Sequence, residues 1–313
     1  MTKSIQIQII DYPDALQSAV YGLKELFIMA NNIMIQENYQ VQFEVSVLSC
    51  HDYNNLYAVD NCHYNVNLLI IPPSLGGEYY LSPPIQLLDY LRHAHSVGTQ
   101  LCSACAGTFI LAKTGILDSR SATTHWQFAQ DFRSSFPQVS LEIESLLVNE
   151  GDILTAGGLM SWVDLGLEIV AHQTKPHIMR KLGKFLIVDT ARREQRYYES
   201  FIPKFDHGNG AIIKVQHHLQ THYSETLTVA HLAQTVFMSE RTFLRQFTQA
   251  TGLKPIQYIQ RLRVQKACEQ LEASSLSFEK IALSVGYEDA NSLRKVFIKT
   301  MGLSPSAFRA RFA

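Results

Sequence analysis

The spacing of apolar residues changes period along the chain. Near the start they alternate: Ile5, Ile7 and Ile9 fall on every second position, which predicts a strand over residues 5–10. A helical spacing follows over 14–30, and alternation returns over 41–48. Residues 66–71 form a short apolar run ending in Pro72-Pro73, as a buried parallel strand does. A helix over 85–95, a strand over 99–103 and a helix over 108–114 come next. Segments 145–149 and 153–156 flank Glu150-Gly151-Asp152, a hairpin signal, and 159–172 reads as a helix. Strand and helix in alternation predict an α/β sandwich on a mainly parallel sheet over residues 1–175.

The pattern then turns helical and repeats itself. Residues 178–198 mix apolar positions with Arg180, Lys181, Lys184, Arg192, Arg193 and Arg196 and predict a connecting helix. Residues 201–210, with Pro203, Gly208 and Gly210, predict a turn-rich linker, so 176–210 joins two domains through a mobile joint. From 211 to 313 two stretches read alike. Leu232, Ala233 and Val236 match Ile281, Ala282 and Val285. One residue is then gained, and Ser239, Phe243, Arg245, Phe247, Gly252 and Pro255 match Asp289, Leu293, Lys295, Phe297, Gly302 and Pro305. Two copies of one unit are the simplest source of such self-similarity.

Each copy has the layout of a helix-turn-helix, and the whole region is predicted all-α. A short helix with one apolar stripe (Val229, Leu232, Ala233, Val236) meets a break. Ser239 or Asp289 then stands where an N-cap oxygen accepts free N–H groups, and Gly252 or Gly302 supplies the stop. The second helix is expected to bury Phe243, Leu244 and Phe247, or Leu293, Val296 and Phe297. Its other face carries Arg241, Thr242, Arg245 and Gln249 in one copy, and Asn291, Ser292, Lys295 and Lys299 in the other. A helix of this width fits the major groove, where its first turns set Arg, Asn or Thr against base edges. Residues 256–272 between the copies predict a helix that fixes their separation.

Charge changes the picture only when split. The net charge is −1, yet residues from Gly210 onward hold 13 Lys and Arg against 7 Asp and Glu, and the rest 14 against 21. A basic module on an acidic body suits phosphate attraction at one end. The C-terminal region resembles the DNA-binding domain of AraC/XylS-type transcription regulators. The resemblance rests on Ile281-Ala282, Gly286-Tyr287, Asp289, Ser292, Val296-Phe297, Gly302, Ser304-Pro305 and Phe308-Arg309, with Leu293 where an aromatic residue is common.

The chemically suggestive point in the first domain is Cys105, between a strand end and a helix start in Cys105-Ala106-Gly107. A thiol at such a turn faces helix N-terminal amides, which favour thiolate. This stretch, with Ile70–Gly77, Gly115–Trp126 and Thr155–Gly158, resembles the DJ-1/PfpI, or class I amidotransferase-like, domain. The resemblance implies a flavodoxin-like sandwich, and the pairing of both domains resembles the GlxA-like regulators. Enzymes of the superfamily use the elbow cysteine, a histidine or acid, and backbone amides. Here His125 is present, but Ala19 stands where the acid is expected, so the chain reads as a non-enzyme. Gly76, Gly77, Cys105, Ala106 and His125 are then the candidate effector site, with amides for a carboxylate or similar anion. A cysteine-dependent hydrolase or glyoxalase-like enzyme is the rival reading, and a thiol redox sensor through Cys102 and Cys105 a third.

Other features carry less. His218 and His222 lie one helical turn apart without an apparent third ligand, so no metal or other cofactor is expected. Trp126 and Trp162 suit a core as well as an amine cage. Five cysteines (50, 62, 102, 105, 268) are too irregular for a disulfide framework, no leader is evident, and no run of 18 apolar residues occurs. The expected setting is the cytoplasm. The resemblance implies promoter DNA, RNA polymerase, a second copy in a homodimer, and an amino-acid-like or betaine-like effector as partners.

Overall fold

The structure, a computed structural model, describes residues 3–49, 66–190 and 194–313. Cys50, Cys62, Arg192 and Arg193 lie outside them. The chain divides into two compact units, Met1–Gln195 and Arg196–Ala313. The division falls inside the stretch 176–210 that the sequence reads as connector.

The first unit is a six-stranded sheet in the order β2-β1-β3-β4-β8-β7, with helices packed against it. The strands β1 (Lys3–Asp11), β2 (Val41–Ser49), β3 (Leu68–Ile71), β4 (Gln100–Ala104) and β8 (Ile153–Ala156) run parallel; β7 (Leu147–Asn149) pairs antiparallel with β8. The central strands are apolar and buried throughout, as Leu68–Ile71 shows, because helices cover both faces. Helix α1 (Gln17–Gln36) buries Val20, Leu23, Phe27, Ala30 and Met34, a helical stripe. Asn31 adds a polar lock. Its amide donates to Phe43 O and accepts from Phe43 N, both at 2.8 Å, so it ties α1 to β2 as a strand neighbour would. Further helices are α2 (Ile85–Ser96), α3 (Gly107–Lys113), α4 (Ala129–Ser135), α5 (Trp162–Gln173) and α6 (Pro176–Leu186). A small two-stranded sheet joins β5 (Ser121–Ala122) to β6 (Ser140–Leu141).

The predicted helix over 178–198 is corrected. It ends at Leu186, where Ile187 takes a left-handed conformation at φ 56° as C-cap, and α6 packs on α1 and α5 as part of the first unit. Helix α4 was not legible in the apolar spacing. Phe132 alone buries fully there, in a ring cluster with Phe109 at 5.0 Å and Phe136 at 4.9 Å.

The second unit is helical: α7 (Gly210–His222), α8 (Val229–Thr235), α9 (Glu240–Thr251), α10 (Pro255–Ala273), α11 (Phe278–Ser284), α12 (Ala290–Met301) and α13 (Pro305–Phe312). It has two cores. Ile212, Leu219, Leu232, Phe243, Phe247, Tyr258 and Leu262 form one; Val264, Cys268, Leu271, Ile281, Leu293, Phe297 and Phe308 form the other. Helix α10 gives its N-terminal half to the first core and its C-terminal half to the second. Leu244, expected in the core, is 38% exposed, because Phe243 and Phe247 already fill the stripe one turn apart.

Candidate functional site

Both predicted recognition helices are built as their sequences require. Ser239 caps α9, accepting from Thr242 N at 3.3 Å, and Asp289 caps α12, accepting from Ser292 N at 2.9 Å. Gly252 and Gly302 end them at φ 72° and 69°, conformations that favour glycine. The residue gained in the second copy is Glu288. Met238 N bonds Ala233 O and Tyr287 N bonds Ala282 O, so those two positions correspond and Glu288 is the extra one.

Arg241, Arg245 and Gln249 are exposed at steps of four along α9, with Thr242 half-buried beside them. Asn291, Lys295 and Lys299 are exposed at the same steps along α12, with Ser292. Each helix thus presents one polar ridge opposite its buried stripe. Two of the predicted contacts are also capping groups. Ser292 donates its hydroxyl to Asp289 Oδ2 at 2.6 Å, whereas the Thr242 hydroxyl accepts from Ser239 at 2.9 Å and keeps its own proton. Asn291 Oδ1 accepts from Arg294 at 3.1 Å, and Arg294 lies over the Phe278 ring at 5.4 Å.

Arg263 of α10 holds the two copies in register. It donates to Tyr223 O at 2.7 Å, Glu225 O at 2.8 Å and Gly286 O at 2.9 Å, and stacks over Tyr287 at 5.4 Å. Three carbonyls from two segments therefore share one rigid guanidinium fork.

In the first unit Cys105 sits at the end of β4 with φ 55°. Gly107 lets the turn close: a Cβ there would lie 2.7 Å from both Ile71 O and Pro72 O. The thiol is 2% exposed, and burial pushes it up to about 12; the one opposing influence is the Ala106 backbone hydrogen bond. Thr124 donates Oγ1 to Cys105 O at 2.7 Å, which sets the 124–126 loop beside the elbow. His125 follows, half-buried, with Nδ1 accepting from Gln127 N at 3.1 Å; burial lowers its pKa. Ala106 is buried.

Gly76 and Gly77 lie in the exposed loop after β3. Gly77 has φ 68°, and the Asp14 carboxylate occupies the space a Cβ would need. Tyr12 donates to Pro72 O at 2.7 Å and stacks on Tyr79 at 5.4 Å, joining that loop to β1. Tyr12, Asp14, Tyr79 and Gln195 were not found from sequence, because isolated residues in loops and short 3-10 turns carry no periodic signal. Ala19 is fully buried in α1. Trp162 covers Gly22, and Trp126 lies 5.4 Å from His125. Cys102 is fully buried, and Cys102, Cys105 and Cys268 are free thiols. His218 and His222 stack at 4.2 Å; among the described residues no group of three or more His, Cys, Asp or Glu is arranged for a metal. Among the described residues no helix is long and apolar enough to cross a membrane.

Comparison with known proteins agrees with both halves. Residues 25–172 match the DJ-1/PfpI family and residues 232–311 a helix-turn-helix domain family. The chain is 27% identical to the HTH-type transcriptional regulator CdhR of Pseudomonas aeruginosa over 225 residues, 72% of this chain and 67% of that one. It is 24% identical to the HTH-type transcriptional regulator GlxA of Rhizobium meliloti over 222 residues, 71% of this chain and 68% of that one. Among solved structures, Drosophila melanogaster DJ-1beta is similar with a TM-score of 0.46 and 18% identity, covering 60% of this chain and 100% of its own. The fold and the paired motifs define a DNA-binding helical domain behind an α/β domain. The chain pairs a DJ-1/PfpI-type domain with an AraC-type helix-turn-helix domain, the make-up of a transcription regulator.

Proposed function

We propose that the protein is a sequence-specific regulator whose hold on promoter DNA is set by a small molecule bound near the Cys105 elbow. The observation that carries the DNA reading is the pair of capped helices, each with an exposed polar ridge at steps of four, fixed to one linking helix. Arg241, Thr242, Arg245 and Gln249 read one groove; Asn291, Ser292, Lys295 and Lys299 read the next. Two such helices reach successive major grooves about 34 Å apart.

The elbow supports sensing rather than catalysis. A nucleophilic cysteine is an accessible, low-pKa thiolate. The buried Cys105 thiol is displaced the other way, and the buried alanine at position 19 supplies no acid. Burial of both Cys102 and Cys105 likewise speaks against a redox pair. Cys105, Ala106 and His125 form the inner part of the effector site, and Gly76-Gly77 its outer loop. Asp14 beside Gly77 favours a cationic group at the outer end, as an amino-acid-like or betaine-like molecule carries. The protein works in the cytoplasm as a homodimer and acts on RNA polymerase.

The test is selection of duplexes from a random pool by the full chain, followed by titration at two salt concentrations. A selected fragment should bind at least about a thousandfold more tightly than bulk duplex. No preference over bulk duplex would end the DNA reading. Melting the protein with L-arginine, carnitine and glycine betaine tests the effector class, since a ligand bound by the folded state alone raises Tm. Thiol alkylation of Cys105 against pH tests the sensor assignment; reaction with a midpoint below about 7 would revive the enzyme.

A further inference from the structure

Gln195 is the last residue of the first unit and is 2% exposed. Its Oε1 accepts from Trp126 N at 2.9 Å, and its Nε2 donates to Thr124 O at 2.9 Å and Ile143 O at 2.8 Å. Its main-chain N–H donates to Glu144 O at 2.9 Å. Gly157 makes the room: a Cβ there would lie 2.8 Å from Thr124 O and collide with the Gln195 amide. Because Thr124 also donates to Cys105 O, two successive hydrogen bonds separate Gln195 from the elbow.

The next residue opens the second unit, and it too is held. The Arg196 and Tyr197 side chains lie on Gly302, the stop of helix α12. The Tyr197 ring lies 5.5 Å from the Arg311 guanidinium, and Tyr198 meets Phe312 edge-on at 5.5 Å. Glu199 pairs with Arg261 at 2.6 Å. Phe201 donates its N–H to Gln265 Oε1 at 2.9 Å and packs against Tyr258 at 5.0 Å. One 3-10 turn, Gln195–Tyr198, contains both anchors, so no free residue lies between them.

We propose that Gln195 is a coupling plug: it links the state of the 124–126 loop to the strap 196–201 and through it to the end of the second recognition helix. The proposal rests on the reading that the elbow is the sensing end. A buried amide with three side-chain bonds is seated or withdrawn as a whole, because half-satisfied buried polar groups are the costliest state. That gives coupling a two-state element. What shifts the 124–126 loop withdraws the plug and drags the strap from Gly302; what shifts the strap pulls on the loop.

Coupling is reciprocal, so it can be read without knowing the effector. The experiment measures amide hydrogen exchange of residues 123–127 in the full chain, with and without a DNA fragment selected as above. Binding of that fragment should change exchange there by about fivefold or more. Gln195→Ala should abolish the change while fluorescence anisotropy still shows the fragment bound. Inserting two glycines after Gln195 leaves the plug seated but slackens the strap, and should abolish it equally, which covers the case that Gln195→Ala disturbs folding. Fragment binding with unchanged exchange at 123–127, or an undiminished change in the insertion variant, overturns the plug alone. Absence of any selected fragment overturns the regulator reading and the plug with it.

Discussion

The two helix-turn-helix copies share a plan and differ in three places. At the turn, the first copy has Phe237 at φ 55° and 97% exposed, whereas the second has Gly286 at φ 87°, pressed against the Ser224 backbone. At the cap, the first uses a neutral hydroxyl and the second a carboxylate. On the reading face, the first offers two arginines, and the second an amide already held by Arg294. One backbone plan therefore serves two surroundings. The second copy packs against the segment after α7 and needs a glycine there; the first leaves the Phe237 ring in solvent and carries a side chain in the same left-handed conformation.

The largest effect expected from this contrast is at Gly286. Replacing it with Ala places a Cβ inside the Ser224 carbonyl and keeps a left-handed backbone. Strain and overlap together should cost about 2–4 kcal/mol, seen as a lower midpoint in urea. A loss under about 1 kcal/mol would mean the join yields easily, and the rigid spacing of the two helices would then be in doubt.

Next come the reading faces. Arg241→Ala should cost about 1–3 kcal/mol in affinity for a selected fragment and relax preference at one guanine position. Asn291→Ala should cost less, because Asn291 must first release Arg294 before it can pair with a base. Equal losses at both sites would show that Arg294 imposes no such cost. Lys299→Ala separates the two kinds of contact: if Lys299 meets phosphate rather than a base edge, binding should weaken evenly across sequences and the salt slope fall by about 1.

How much of this was readable from the chain differs between the halves for a physical reason. The repeat, the caps Ser239 and Asp289, and the stops Gly252 and Gly302 were legible because they are local: each residue type answers its neighbours within one turn of helix. The strands 5–10 and 41–48 were legible from alternation, and the 145–156 hairpin from its Glu150-Gly151-Asp152 turn. What escaped were long-range polar contacts. Gln195 meets partners 52 to 71 residues away, and Arg263 partners 23 to 40 away. Nothing in the pattern around either residue marks it out. Helix α6 was merged with the strap for a related reason: the Ile187 turn that ends it has no glycine to announce it.

A smaller effect tests the turn itself. Phe237→Gly removes a left-handed phenylalanine, relieving about 1–2 kcal/mol, and adds glycine freedom to the unfolded chain, costing about 0.5–1 kcal/mol. At 97% exposure the ring loses no burial. The net should be a stabilisation of about 0.5 kcal/mol by urea denaturation, opposite in sign to Gly286→Ala. Destabilisation would show that the ring has a partner in solution.

The smallest difference concerns pH. The Ser292 side chain and N–H bonds hold the Asp289 carboxyl below its usual range, and nearby Lys295 acts in the same direction. A depressed folded pKa contributes stability that is present above the ordinary aspartate value and lost as pH falls through the folded one. The cap of α9 has no titrating group, since Ser239 fills that place. Acid below about pH 4 should therefore loosen the start of α12 more than that of α9, whose first turn carries Glu240 beside a neutral cap. Protection factors for the Ser292 and Thr242 amides, followed from pH 6 downward, measure the two caps side by side; the ratio should move against Ser292. Because protonated Asp289 still accepts one hydrogen bond, the loss should be partial, and Asp289→Asn should remove the pH dependence without removing the cap. If the two amides lose protection together, the acid effect lies in the shared core, and the caps are equivalent in practice.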